Sequence, residues 1–95
     1  MSKLDEIPGA MMSVEGSDLV FHWEKATGAE SYRVEILNPM LDTLNVVEGL
    51  TERDVRVPSG RIPGLAKAGS YLFQVQGVRG KHVIATTGLR PFSLP

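Results

Sequence analysis

The chain contains no cysteine, which excludes a disulfide framework and any thiol chemistry. Histidine is nearly as scarce: His22 and His82 cannot by themselves supply the three or four ligands of a metal centre, and no spacing of carboxylates completes one. No apolar run approaches the roughly 18–20 residues that a membrane span needs, and Met1–Glu6 lacks the apolar stretch of a signal peptide. Membrane insertion is therefore not expected. The chain reads as made in the cytosol, or as a segment cut from something longer, in which case an extracellular location stays open. Acidic residues are missing from the C-terminal part altogether. All eleven lie at or before Asp54, against four basic ones, for a net of −7; six basic residues follow, for +6. Such asymmetry is compatible with a basic face for an acidic partner, but no three basic residues are adjacent and no aromatic ladder runs among them. A compact fold that interleaves the two halves mixes these charges in space.

What is present fits one folded domain. The chain has 95 residues, 42% of them hydrophobic and 22% charged, a composition of globular rather than disordered sequences. Ten glycines and six prolines punctuate it, and the longest stretch free of both, Ser17–Thr27, has eleven residues. That leaves little room for helices, whose mean length is about 11–12 residues. Short apolar alternations read as strands instead. Leu19, Phe21 and Trp23 alternate with Val20, His22 and Glu24. Tyr32, Val34 and Ile36 alternate with Arg33, Glu35 and Leu37. Val55 and Val57 flank Arg56, and Tyr71, Phe73 and Val75 alternate with Leu72, Gln74 and Gln76. The tail from Lys81 to Leu94 is β-prone but broken at Gly88 and Pro91, which suits a sheet edge. Turn signals every 8–12 residues or so complete the pattern of an antiparallel sandwich or barrel. Residues 1–6 read as a loose leader and 7–95 as the domain. The segment Asn38–Gly49 has two readings. Asn38 as N-cap, Pro39 as first residue and Leu41, Leu44 and Val47 at helical spacing fit a short helix. Thr43, Asn45, Val46 and Val47 are poor helix formers, and a strand pairing Leu44 with Val46 is favoured.

Trp23, a short loop ending Thr27-Gly28-Ala29-Glu30-Ser31, and then Tyr32-Arg33-Val34-Glu35-Ile36 resemble the core tryptophan and tyrosine-led third strand of fibronectin type III domains. Leu65, Gly69 and Tyr71, followed by Leu72-Phe73-Gln74-Val75-Gln76-Gly77-Val78, resemble the sixth strand and tyrosine corner of that family. Pro8 stands where the first strand begins. Lys67 stands where the family often has proline, and the span from Pro39 to Glu52 is loosely matched. The resemblance covers residues 7–95. It implies an all-β, immunoglobulin-like sandwich of about seven antiparallel strands, with A, B and E in one sheet and C, C′, F and G in the other.

No catalytic constellation emerges. His22 has Glu24 two residues along the same strand face, an arrangement more typical of solvated neighbours than of a dyad. Gly77-Val78-Arg79-Gly80-Lys81 lacks the spacing and the Ser/Thr of a phosphate loop. Neither cofactor nor metal is expected. Arg79-Gly80-Lys81 occupies the turn in which some members of the resembled family carry Arg-Gly-Asp; Lys81 replaces the acid, so cell attachment does not follow. Two binding surfaces remain. One is the loop end formed by Glu24–Glu30, Glu48–Asp54 and Arg79, Gly80, Lys81 and His82, since loops on a rigid scaffold are where recognition concentrates. The other is the sheet face of Arg33, Glu35, Gln74 and Gln76. The expectation is a non-catalytic interaction or structural module that packs against other protein chains, in a repetitive assembly such as a phage virion. The alternative is an accessory module of a secreted bacterial adhesin or carbohydrate-active enzyme. Direct carbohydrate binding is the weakest reading, because sugar platforms need exposed aromatics. Nucleic acid is not an expected partner. In a fluorescence-anisotropy titration no submicromolar DNA binding is expected at about 150 mM salt; tight binding that weakens as salt rises would contradict this.

Overall fold

Alternation of apolar and polar residues sets the first well-formed strands. In the computed structural model, which describes residues 4–65 and 69–94, Met11–Glu15 (β2) and Asp18–His22 (β3) form a hairpin, and Asp54–Pro58 (β6) pairs the other side of β3. These make a three-stranded antiparallel sheet, order β2-β3-β6. The second sheet contains Asp5–Glu6 (β1), Ser31–Leu37 (β4), Thr43–Leu50 (β5), Gly69–Arg79 (β7), His82–Thr86 (β8) and Arg90–Leu94 (β9). Its order is β1-β8-β7-β4-β5, with β9 also on β7. The architecture is the expected all-β, immunoglobulin-like sandwich, with three principal strands facing four. A single 3₁₀ turn, Ser59–Arg61, follows β6.

Several expectations resolve in detail. The last two residues of the anticipated leader are in a strand: Asp5 and Glu6 run parallel to Ala85 and Thr86. Residues 1–3, 66–68, with Lys67 among them, and 95 lie outside the described residues. The tail runs along β7 in two pieces, of which β8 is flanked in turn by β1 and β9 lies at the edge. β8 pairs Gln76–Arg79, and β9 pairs Gly69–Phe73. Buried Thr87 bridges the break. Its N–H donates to the Val75 carbonyl, and its Oγ1 accepts from the Val75 N–H, both at 2.9 Å. A side-chain oxygen thus replaces a ladder carbonyl where the backbone bends at Gly88. Pro91 sits opposite Leu72 on this edge strand, a position where its missing N–H is tolerated.

Between β4 and β5 the chain forms a tight turn, not a helix. The Asn38 side-chain oxygen accepts from the N–H groups of Met40 (3.0 Å) and Asp42 (2.9 Å), and its amide nitrogen donates to Asp42 Oδ2. Asn38 closes a turn with the side chain that could have capped a helix. The turn displays Met40 and Leu41, 83% and 56% exposed, with Leu41 at a φ of 68°. The strand reading of Thr43–Leu50 holds, but with irregular register. Tyr32 pairs with Leu50 and Val34 with Val47, so β5 carries one extra residue there; a second extra residue lies between the Ile36–Asn45 and Leu37–Thr43 pairs. These two bulges put Leu44, Val47 and Leu50 on the core side at intervals of three, which accounts for the helix-like spacing of the segment.

The core lies between the sheets and takes all six aromatic residues. Phe21 of β3 packs on Phe73 of β7 (centroids 5.2 Å apart) and on Phe92 of β9 (6.2 Å), and Tyr71 stacks on Phe92 (5.7 Å). Trp23, fully buried, leans on Tyr32 at 5.5 Å, and the Tyr32 hydroxyl accepts the Ala26 N–H. Leu19, Phe21, Trp23, Tyr32, Val34, Ile36, Val57, Tyr71, Phe73 and Val75, the apolar positions of the alternating segments, are buried, and Val55 and Leu65 pack at the margin of the core. Ile7, Ala26, Ile62, Ala85 and Phe92 complete the interior from less regular segments. Packing is tight around Gly77, where a Cβ would meet the methyls of Ala29 at 3.2 Å and Ala85 at 3.3 Å.

Replacing Trp23 removes the largest buried side chain and leaves a cavity. Trp23→Ala is expected to lower the unfolding free energy by about 3–5 kcal/mol, measured by urea denaturation. Native tryptophan emission should be blue-shifted; a spectrum equal to that of free tryptophan would contradict burial at this position.

Candidate functional site

The four residues expected on the outer sheet face are brought together by one register. Arg33 pairs with Gln76 and Glu35 with Gln74 across β4 and β7, all pointing away from the core. Their side chains form a network. Arg33 Nη1 donates to Gln76 Oε1 (2.8 Å), Gln74 Nε2 donates to Glu35 Oε1 (2.5 Å), and the Thr43 hydroxyl donates to Glu35 Oε2 (2.6 Å). Partial burial pushes the Glu35 carboxyl up, but the bonds from Thr43 and Gln74 and the nearby Arg33 guanidinium outweigh it, so its pKa lies below the usual range. Arg33 also reaches Glu48 on β5: its Nε lies 3.3 Å from Glu48 Oε1 and is buried, yet makes no hydrogen bond.

Residues 79–82 form the β7–β8 hairpin, in which Arg79 pairs with His82 around Gly80-Lys81. Gly80 has a φ of 62°, and positive φ at the first central residue only is the type II′ pattern suited to a two-residue hairpin. The Gly80 N–H donates to Glu30 Oε1 (2.8 Å), and the Glu30 N–H donates to the Val78 carbonyl (2.9 Å). The loop before β4 and the hairpin are therefore tied together, as the expected clustering of loops requires. Among the described residues Lys81 and His82 have no ion-pair partner.

The two surfaces, separate in the sequence, meet at a half-open concavity of about 360 Å³. Arg33, Glu48 and Gly49 line it from the β4–β5 side, Gly80 and Lys81 from the hairpin, and the cross-strand pair Val78 and Val83 forms part of its lining. Of the residues expected on the sheet face and in the hairpin, only Arg33, Gly80 and Lys81 line it; Glu35, Gln74, Gln76, Arg79 and His82 do not. Glu48, expected in a loop of the clustered end, stands instead in β5, where the bulge at Glu48–Gly49 turns it toward Arg33; Gly49, with a φ of 70°, is the local signal of that bulge.

Elsewhere the charges of the two chain halves mix. Arg56 pairs with Glu15 (3.1 Å) and Asp18 (3.2 Å), and Arg90 with Glu6 (3.4 Å). His22 sits on the outer face of the small sheet in register with Met11 and Asp54, while the Glu24 carboxylate lies against Gly9. Among the described residues no group of three metal-ligating side chains is present, and no helix is long and apolar enough to cross a membrane.

No protein-family model matches the chain, and no curated protein does. Solved structures match its fold. The spore cortex lytic enzyme SleM of Clostridium perfringens superposes with a TM-score of 0.64 at 11% identity, over 96% of this chain and 28% of that one. The β-glucuronidase of Ruminococcus gnavus superposes with a TM-score of 0.55 at 17% identity, over 94% of this chain and 16% of that one. The chain thus spans between about a sixth and somewhat over a quarter of these neighbours' lengths.

Because Glu35 is held ionised in the fold, stability from it is present above its unfolded pKa, about 4.3, and is lost as pH falls through its lower folded value. In thermal melts across the acid range, Glu35→Gln should flatten that part of the loss; an unchanged profile would mean that the network does not couple to folding.

Proposed function

We propose that this chain is a non-catalytic, fibronectin type III-like interaction module whose contact surface is the concavity and its rim on the β5-β4-β7-β8 face. One observation carries the reading: almost the whole chain matches a small part of much larger enzymes, SleM and a β-glucuronidase. A sandwich in that relation to its surroundings acts through packing and placement, and chemistry belongs to other domains. The neighbours favour the setting of an accessory module in a carbohydrate-active protein over that of a virion component. The partner in this reading is protein: all six aromatics are spent on the core, which leaves no aromatic platform for a sugar ring, whereas the outer face offers a guanidinium, two amides and a carboxylate already held in hydrogen-bonded pairs. Preset polar groups of this kind favour docking because little side-chain freedom is lost on binding.

The test is co-purification with the products of the neighbouring genes, or with the adjoining domains if the native reading frame is longer. The wild-type chain should retain one such protein. A variant with Arg33, Gln76 and Lys81 changed to alanine should lose about tenfold or more in affinity, the scale of one interface anchor of about 1.4 kcal/mol. Retention on a polysaccharide, with no protein bound, would overturn the reading.

A further inference from the structure

The concavity contains an unfinished ion site. Its lining includes two cations, Arg33 and Lys81, and one anion, Glu48. Arg33 is oriented by its bond to Gln76, which fixes the plane of the guanidinium. The Nε–H on the other edge is buried and unbonded, although Glu48 lies only 3.3 Å away. A buried donor whose nearest acceptor is misaligned is unfavourable, which leaves room for an acceptor better aligned than Glu48. That residue is poorly placed to do so itself. Its side chain is 70% exposed, against 32% for Arg33, and an ion pair so open to water contributes little. It also stands on a bulge whose geometry is fixed by Gly49.

We infer that the concavity takes a carboxylate side chain, Asp or Glu, of a partner protein, and that Glu48 occupies the site as a displaceable stand-in. This rests on the reading of the domain as a protein-docking module and names the chemistry of its partner. The guanidinium Nε edge presents two parallel donors that match the two oxygens of a carboxylate. Lys81, which has no ion-pair partner among the described residues, supplies the second positive charge. Two cations against one anion leave one charge to be neutralised by one incoming carboxylate. Val78 and Val83 provide apolar surface for the methylene groups that carry it, and the volume of about 360 Å³ accommodates a side chain with part of its backbone. The β5 bulge is what makes the device possible: in an unbroken strand the register opposite Arg33 would shift, and no internal carboxylate would sit at the rim.

The probe is a capped Gly-Glu-Gly peptide, titrated at low ionic strength and followed by NMR at the Arg33 side-chain Nε–H. Saturable weak binding is expected, with no response to the Gly-Gln-Gly peptide. Glu48→Gln, an exposed change that leaves the core untouched, should tighten binding about fivefold by removing the competitor, and Lys81→Gln should weaken it about as much. If neither the wild type nor Glu48→Gln responds to the Glu peptide, the carboxylate site is wrong, while co-purification of a neighbouring protein would still uphold the docking module. If glucuronate binds at Arg33 and the peptide does not, the protein partner falls as well and the ligand is a sugar acid.

Discussion

The contact between Phe21 and the Phe73–Phe92 pair is the joint on which the sandwich depends. Phe21 comes from the small sheet, and its two partners come from neighbouring strands of the large one. Two sheets that share no strand have only side chains to hold them together, and large rings bury the most area for the fewest frozen torsions. Trp23 and Tyr32 repeat the arrangement toward the other end. Committing every aromatic residue to this purpose has a consequence for the outside. The face of Arg33, Glu35, Gln74 and Gln76 is left with amides and charges, so recognition there works by hydrogen bonds and ion pairs set in a rigid frame.

The inner face was readable because its alternation is regular. Leu19 and Phe21, Tyr32 to Ile36, and Tyr71 to Val75 each keep strict period two, and each lies where it was expected. The residues that escaped detection share a different property. Ile7, Ile62 and Phe92 lie in segments too short or too interrupted by proline and glycine to show a period, and Ala26 and Ala85 are small enough to pass for surface residues. The segment after Asn38 shows how a local signal can point two ways. Its spacing of three belongs to a bulged strand, and its capping residue closes a turn, so local features of a helix describe a structure that contains none.

The candidate site was legible to the same extent. Arg33, Glu35, Gln74 and Gln76 follow from alternation once β4 and β7 are neighbours, and register then makes two bonded pairs of them. The hairpin at Gly80-Lys81 follows from turn chemistry. What no pattern in the sequence discloses is that both surfaces border one concavity, because that depends on the extra residue in β5 at Glu48–Gly49 and on another in β8 beside Val83. Bulges add one residue without altering composition, and they redirect the side chains on either side.

The pairing of Asp5–Glu6 with Ala85–Thr86 joins positions some eighty residues apart, and the ion pair of Glu6 with Arg90 spans 84. The consequence is temporal. One edge of β7 is covered in two steps along the chain: His82–Thr86 pair Gln76–Arg79 first, and Gly69–Phe73 stay unpaired on that side until Arg90–Leu94 arrive. Phe92 arrives with them, so the aromatic joint is incomplete over the same interval. Loop closure of this length is costly before any contact repays it, which puts the domain among slow, late-closing topologies. A nascent chain of this kind leaves the edge at Gly69–Phe73 open while it waits, and β9 acts as the clasp that ends the exposure.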